Sequence, residues 1–158
     1  MSERVLIREY SGLDLDRIFR LDEVCFAAEF RFDRQSMRRF VEVKNAIVLI
    51  AEDDAAEISG FVIVHVEGGG GGVRGYVVTL DVAPARRRMG LAGRLMDESE
   101  RRARLGGAGW MELHVFTRND AAVRFYEGRG YERVGLRKGF YGGAKEGLDA
   151  FVYQKDLR

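Results

Sequence analysis

The apolar residues of this chain change period several times, and each change marks an element. "RVLIREY" (4–10) reads as a first strand. From Leu13 to Phe26, the positions Leu13, Ile18, Leu21, Val24 and Cys25 recur at helical spacing. "FDRQSMRRFVEVK" predicts a second, shorter helix with Asp33 as its N-cap. "AIVLIAE" (46–52) is a short apolar run between charges, hence a buried strand, and "EISGFVIVHVE" (57–67) is a longer one. The glycine run at 68–72 predicts a flexible turn, so "RGYVVTLDVA" (74–83) folds back as the second half of a hairpin. Pro84, the only proline, ends that strand.

Leu91 to Leu105 then reads as a helix, with Leu91, Leu95, Ser99 and Ala103 on one side and Ala92 and Met96 beside them. Asp97–Arg101, Glu98–Arg102 and Glu100–Arg104 are acid-first i,i+4 pairs assigned to the exposed side. "WMELHVF" (110–116) alternates, sending Met111, Leu113 and Val115 one way and Trp110, Glu112, His114 and Phe116 the other. Asn119 caps a further helix that stops at Gly128–Gly130, and "YERVGL" and "GLDAFVYQKDL" are the last two strands. The order β-α-α-β-β-β-α-β-α-β-β, without repeat or linker, predicts one α/β domain over 1–158, with a mixed, mostly antiparallel central sheet.

Composition narrows the function. Lys plus Arg number 26 against 25 Asp plus Glu, a net charge of +1, which gives no support to non-specific nucleic-acid binding. The single cysteine, Cys25, excludes an internal disulfide and suits a reducing, cytoplasmic setting. "MSERVLIREY" has no long apolar run, so no signal peptide is expected, and no stretch approaches the length of a membrane span. One cysteine and two histidines without ligand spacing predict no metal site.

Against this balance "RRRMGLAG" (86–93) stands out. A strand that stops at a proline and turns into a helix leaves the first helical amides free, and with the helix dipole these make an anion site. Gly90 and Ala92 keep the turn open to a phosphate. A solvated basic loop before an ordinary helix explains the same residues. No G-x-x-x-x-G-K-[ST] occurs, and Gly70, Gly72 and Gly75 match G-x-G-x-x-G only within a glycine run that leads into a strand.

The spacing to later residues weighs between the two. "VAPARRRMGLAGRLM" resembles the acyl-CoA loop of the GNAT acetyltransferase superfamily, Arg/Gln-x-x-Gly-x-Gly/Ala, here Arg87-x-x-Gly90-x-Ala92. "NDAAVRFYEGRGY" is similar to that family's Asn-x-x-Ala-x-x-x-Tyr-x-x-x-Gly-aromatic motif. The resemblance implies an acetyl-CoA-dependent N-acetyltransferase of GNAT-like fold. It assigns backbone groups of Leu80, Asp81 and Val82 to the pantetheine arm, with the Val82 amide facing the thioester oxygen. It assigns Arg87, Arg88, Met89, Gly90, Leu91, Ala92 and Gly93 to the pyrophosphate, Asn119 to the pantetheine, and Tyr126 to the departing thiolate.

"LHVFTRN" resembles one subgroup, the N-terminal α-amine and ribosomal-protein alanine acetyltransferases. That likeness implies His114 as the base, joined to Tyr76 through a shared water, with Glu112 as the fallback. Phe26 and Phe30 would form the pocket for the acceptor's first residue, and Phe140 and Tyr141 a wall of the groove. His65 has no motif around it and reads as structural. The acceptor is expected to be a protein or peptide N-terminus. A small amine (polyamine, amino acid or antibiotic) and a non-catalytic acyl-CoA-binding module are the competing readings. A monomer or homodimer is expected, with neither nucleic acid nor membrane as partner.

Overall fold

The computed structural model describes residues 4–142 and 147–158. Residues 1–3, and residues 143–146 just before the last expected strand, lie outside the described residues. In chain order the elements are β1 (Val5–Glu9), α1 (Leu15–Cys25), α2 (Arg34–Glu42), β2 (Ala46–Asp53), β3 (Ile58–Gly69), β4 (Gly72–Val82), α3 (Leu91–Leu105), β5 (Trp110–Phe116), α4 (Asp120–Gly128), β6 (Glu132–Arg137) and β7 (Ala150–Asp156). This is the α/β order expected from the periodicities. The strands form one seven-stranded sheet, β1-β2-β3-β4-β5-β7-β6. Every neighbouring pair is antiparallel except β4 and β5, which run parallel.

Period-two alternation divides the core between the two faces. In β2, Leu49 and Ala51 join the cluster under α3 and α4, whereas Val48 and Ile50 pack with Ile18, Met37, Phe61 and Ile63 under α1 and α2. In α3 the expected stripe of Leu91, Leu95, Met96, Ser99 and Ala103 is buried.

Three details depart from the sequence reading. The α1 stripe runs through Leu15, Ile18 and Asp22, while Leu13 and Val24 are 90% and 65% exposed. A short 3₁₀ turn over Gly12–Asp14, capped by Ser11, displaces the helix start and rotates its face. The glycine run is mostly strand: Gly69 pairs with Gly72 across a two-residue turn, and Gly72 takes φ +118°, open only to glycine.

Of the three α3 ion pairs, only Glu98–Arg102 forms as expected. Asp97 pairs instead with Arg129, and Arg104 donates to the Leu157 carbonyl. Glu100 is buried, because α3 turns it toward the sheet, where it accepts 2.8 Å bonds from the Tyr131 hydroxyl and the Lys155 ammonium. Removing it strands both donors. We expect Glu100→Ala to lower stability by about 3 kcal/mol, read from the urea midpoint at unchanged m-value.

Candidate functional site

A bulge in the hairpin creates the site. Val64 pairs with Val77 and Ile63 with Thr79, so Val78 is an extra residue in β4. Bulges bend and twist a strand. The parallel pairing of β4 with β5 accordingly covers only Arg74↔Trp110, Gly75↔Met111 and Tyr76↔Glu112. Beyond it the strands part, and a wedge opens between residues 77–80 and 113–116, closed by Phe26, Phe30, Phe32, Ala122 and Tyr126.

The wedge continues both ways. On one side it shares Phe26, Leu80, Asn119, Ala122 and Tyr126 with a cleft along Asp81, Val82, Arg87, Arg88 and Gly90 to Gly93. On the other it shares Phe30, Phe32, His114 and Tyr141 with a groove that includes Tyr76, Phe40, Glu67 and Phe140. The expected residues are therefore gathered into one continuous passage, with two exceptions. Met89 is 54% exposed and lines none of the three cavities.

Glu112 is the second exception, and it corrects the fallback base. One of its oxygens is paired with Arg74, and the other accepts a 2.7 Å bond from the Gln154 amide. Each oxygen thus has a partner, and Glu112 does not line the passage. It anchors Arg74, whose guanidinium lies 5.0 Å over the Tyr76 ring.

His114 stands where wedge and groove meet. Its Nδ1 is 2.7 Å from the Tyr76 hydroxyl, so the two groups bond directly and the expected intervening water has no place between them. Phe140 stacks on the imidazole, with centroids 4.1 Å apart and planes 6° off parallel. Its Nε2 is buried with no partner among the described residues. Burial lowers the imidazole pKa, and it pushes the Tyr76 phenol up to about 12. Burial likewise raises the Tyr126 phenol above its ordinary range. All three groups are thus neutral near pH 7.

At the cleft end Pro84 opens a 3₁₀ turn, and Gly90 caps α3 at φ +76°. The first in-helix bond runs from Arg94 N to Gly90 O, 3.1 Å, so the amides of Leu91, Ala92 and Gly93 have no helical acceptor. A Cβ built on Gly90 meets no atom within 4 Å, which leaves the mouth of the turn open. Arg86 is committed to Asp53 at 2.8 Å, and Arg87 donates from Nε to the Val82 carbonyl at 3.1 Å. Asn119 caps α4 through Oδ1, accepting from the Ala122 amide at 3.1 Å.

The sequence reading missed Phe32, Val78 and Phe125, which also line the passage. Phe32 carried a signal, the alternation in "FRF". Val78 and Phe125 carried none, since a bulge position and a motif spacer look like ordinary core. His65 is buried, with Nε2 2.8 Å from the Phe40 carbonyl, and it also lines the groove beside Phe40 and Glu67. Among the described residues no group of three or more His, Cys, Asp or Glu could hold a metal, and no helix is long and apolar enough to cross a membrane.

Residues 15–131 match the Acetyltransferase (GNAT) family. N-alpha-acetyltransferase 20 of Dictyostelium discoideum is 32% identical over 105 residues, 66% of this chain and 61% of that relative's length. Two solved structures share the fold. The ribosomal-protein-S18-alanine N-acetyltransferase from Escherichia coli superposes with a TM-score of 0.84 at 18% identity, covering 98% of this chain and 94% of that one. Arabidopsis thaliana NAA60 in complex with acetyl-CoA gives 0.84 at 20% identity, covering 97% and 98%.

Proposed function

This chain belongs to the acetyltransferase (GNAT) family, and from that premise we propose that it moves the acetyl group of acetyl-CoA onto the α-amine of a protein or peptide N-terminus. The observation that carries the proposal is the continuous passage. An amide-lined anion turn lies at one end, an aromatic groove at the other, and a neutral imidazole at the joint. The relative named above as an N-alpha-acetyltransferase supports the same acceptor class. A reducing, cytoplasmic setting is part of the proposal, supported by the single cysteine.

The free amides of Leu91, Ala92 and Gly93, with those of Arg88 and Gly90, hold the pyrophosphate. Arg87 adds charge, and the backbone of Leu80 to Val82 pairs with the pantetheine arm beside Asn119. The Val82 amide stabilises the negative charge that develops on the thioester oxygen. An N-terminal α-amine has a pKa near ~8 and must lose its proton before attack. His114 takes that proton on Nε2, in the tautomer whose Nδ1–H donates to Tyr76. Tyr126, facing both wedge and cleft, donates its O–H to the thiolate that leaves. Phe26 and Phe30 flank the acceptor's first residue, and Phe140 and Tyr141 wall the groove.

The reading is tested by mass spectrometry of N-terminal peptides incubated with the protein and acetyl-CoA, beside a panel of small amines. A mass gain of one acetyl group on the peptide α-amine is the expected result. Turnover of small amines alone would move the acceptor to that class, and acetyl-CoA binding without turnover would make the chain a binding module. A second variant checks the turn. Gly90→Val sets a β-branched residue at positive φ and a side chain in the open mouth. Its acetyl-CoA KM should rise about tenfold, the equivalent of ~1.4 kcal/mol, with kcat nearly preserved. An unchanged KM would remove the turn from phosphate binding.

A further inference from the structure

A second pair of titratable groups lies behind the site, unused by the chemistry above. Asp22 of α1 and Asp81 of β4 are 0% and 1% exposed and act on each other electrostatically, beside the point where Cys25 Sγ of α1 donates to the Val82 carbonyl of β4 at 3.3 Å. Each has one donor: Asp22 Oδ2 accepts from the Phe32 amide at 3.1 Å, and Asp81 Oδ1 accepts from the Thr79 hydroxyl at 2.6 Å. The remaining oxygens, Asp22 Oδ1 and Asp81 Oδ2, have no hydrogen-bond partner among the described residues.

Among the described residues no cation forms an ion pair with either carboxyl. The charged and titratable groups facing the pair are Glu23 and Cys25 from α1, Arg31 from the following loop, Arg87 from the turn after β4, and the Tyr126 phenol from α4. Arg31 spends its Nε on the Phe26 carbonyl at 2.8 Å and Arg87 on the Val82 carbonyl at 3.1 Å, and neither forms an ion pair with Asp22 or Asp81. Two bare carboxylates cannot share such a site at tolerable cost. One proton between them satisfies both orphaned oxygens at once.

The location gives that proton its consequence. Asp81 sits between Leu80 and Val82 on the strand that lines the donor cleft. Asp22 holds, through the Phe32 amide, the end of the loop that carries Phe26, Phe30 and Phe32 into the wedge. We propose that Asp22 and Asp81 form a proton-sharing latch that ties the acceptor-side loop to the donor-side strand, and that losing the shared proton frees the loop. The acceptor part rests on the N-acetyltransferase reading above. Both are positioning residues, since the Asp22 and Asp81 side chains act through the loop and the strand.

Burial and the neighbouring Asp22 hold Asp81 protonated well above the usual carboxylate range. A raised folded-state pKa contributes stability that is complete below the unfolded value near ~4 and is lost as pH rises toward the folded value. Asp81→Asn or Asp22→Asn puts a permanent N–H donor where the shared proton was. The thermal midpoint of either variant, measured without ligand, should therefore gain on that of the unsubstituted protein as pH rises from about 4.

Hydrogen exchange at the Phe32 amide reads the loop, and comparison at equal pH cancels the intrinsic exchange rate. Protection in the unsubstituted protein should fall relative to the variants at alkaline pH. The ratio of kcat/KM for a peptide acceptor, variant over unsubstituted, should rise through KM by up to about tenfold per pH unit, the limit for one proton. The acceptor's own ionisation cancels in that ratio. A midpoint difference independent of pH, or a flat exchange ratio, overturns the latch. If no peptide is acetylated, the N-terminal reading fails, while the exchange and melting comparisons still decide the latch.

Discussion

His114→Ala should lower kcat by about 10²-fold or more, the usual contribution of a positioned general base, and leave the acetyl-CoA KM close to its original value. The selectivity follows from position. His114 lines the wedge and the acceptor groove but not the phosphate-side cleft, so its loss removes the proton acceptor without touching the anion turn. The imidazole pKa is pushed down from 6.5 by burial. A base must be neutral to act, so the rate should fall as pH drops through that lowered value, with the acid limb below pH ~6.5. In His114→Ala this limb should disappear. Steady-state kinetics from pH 5 to 9 read both effects. Near-normal kcat in His114→Ala would leave the proton to water, because Glu112 has both oxygens engaged by Arg74 and Gln154.

Tyr126→Phe should cost about 10²-fold in kcat, again with little change in acetyl-CoA KM. The phenol lies where wedge and cleft join, and burial holds it protonated. The departing thiolate, whose thiol has a pKa near ~8.5, is a weaker base than the phenolate, so Tyr126 acts by donating its O–H as a hydrogen bond while charge builds up on sulfur, and a proton that crosses to sulfur is restored to the phenol from solvent. Packing alone would give a different result. The ring of Tyr126 meets Phe125 and Tyr131 edge-on at 5.0 and 5.5 Å, and phenylalanine keeps both contacts. The melting temperature should therefore stay near its original value while turnover falls. A leaving-group series separates the roles further: acyl donors with more acidic thiols need less protonation, so the deficit should shrink with them. A constant deficit across the series would reduce Tyr126 to a wall of the passage.

Local signals carried most of the architecture. The apolar run at 46–52, the alternation in 110–116, the Asn119 cap and the proline at 84 each reflect a rule confined to a few neighbouring residues, and each element formed at about its expected place. The open turn before α3 was legible for the same reason, because free amides and an open glycine are properties of one short segment. Where a rule needed a neighbour from elsewhere in the chain, the reading failed. Glu100 fits an exposed i,i+4 pair until β7 supplies Lys155 and the turn after α4 supplies Tyr131. Glu112 reads as a spare base until Arg74 and Gln154 occupy it. Leu13 fits the α1 stripe until the 3₁₀ turn rotates the helix.

The sequence by itself determined the order of elements, the faces of the regular strands, and the two motif-bearing turns, since these depend on periodicity and backbone freedom. Tertiary structure alone decided the rest. One extra residue, Val78, inverts the alternation of β4, so that Leu80 and Val82 pack with the α3 side while Thr79 and Asp81 turn toward α1. That inversion parts β4 from β5 and sets two carboxyls against each other. It also leaves Tyr76 and His114 in direct contact at the end of the pairing. Side-chain direction in a strand repeats every two residues, so a single inserted residue reverses everything beyond it, and only the packed sheet shows where that residue sits.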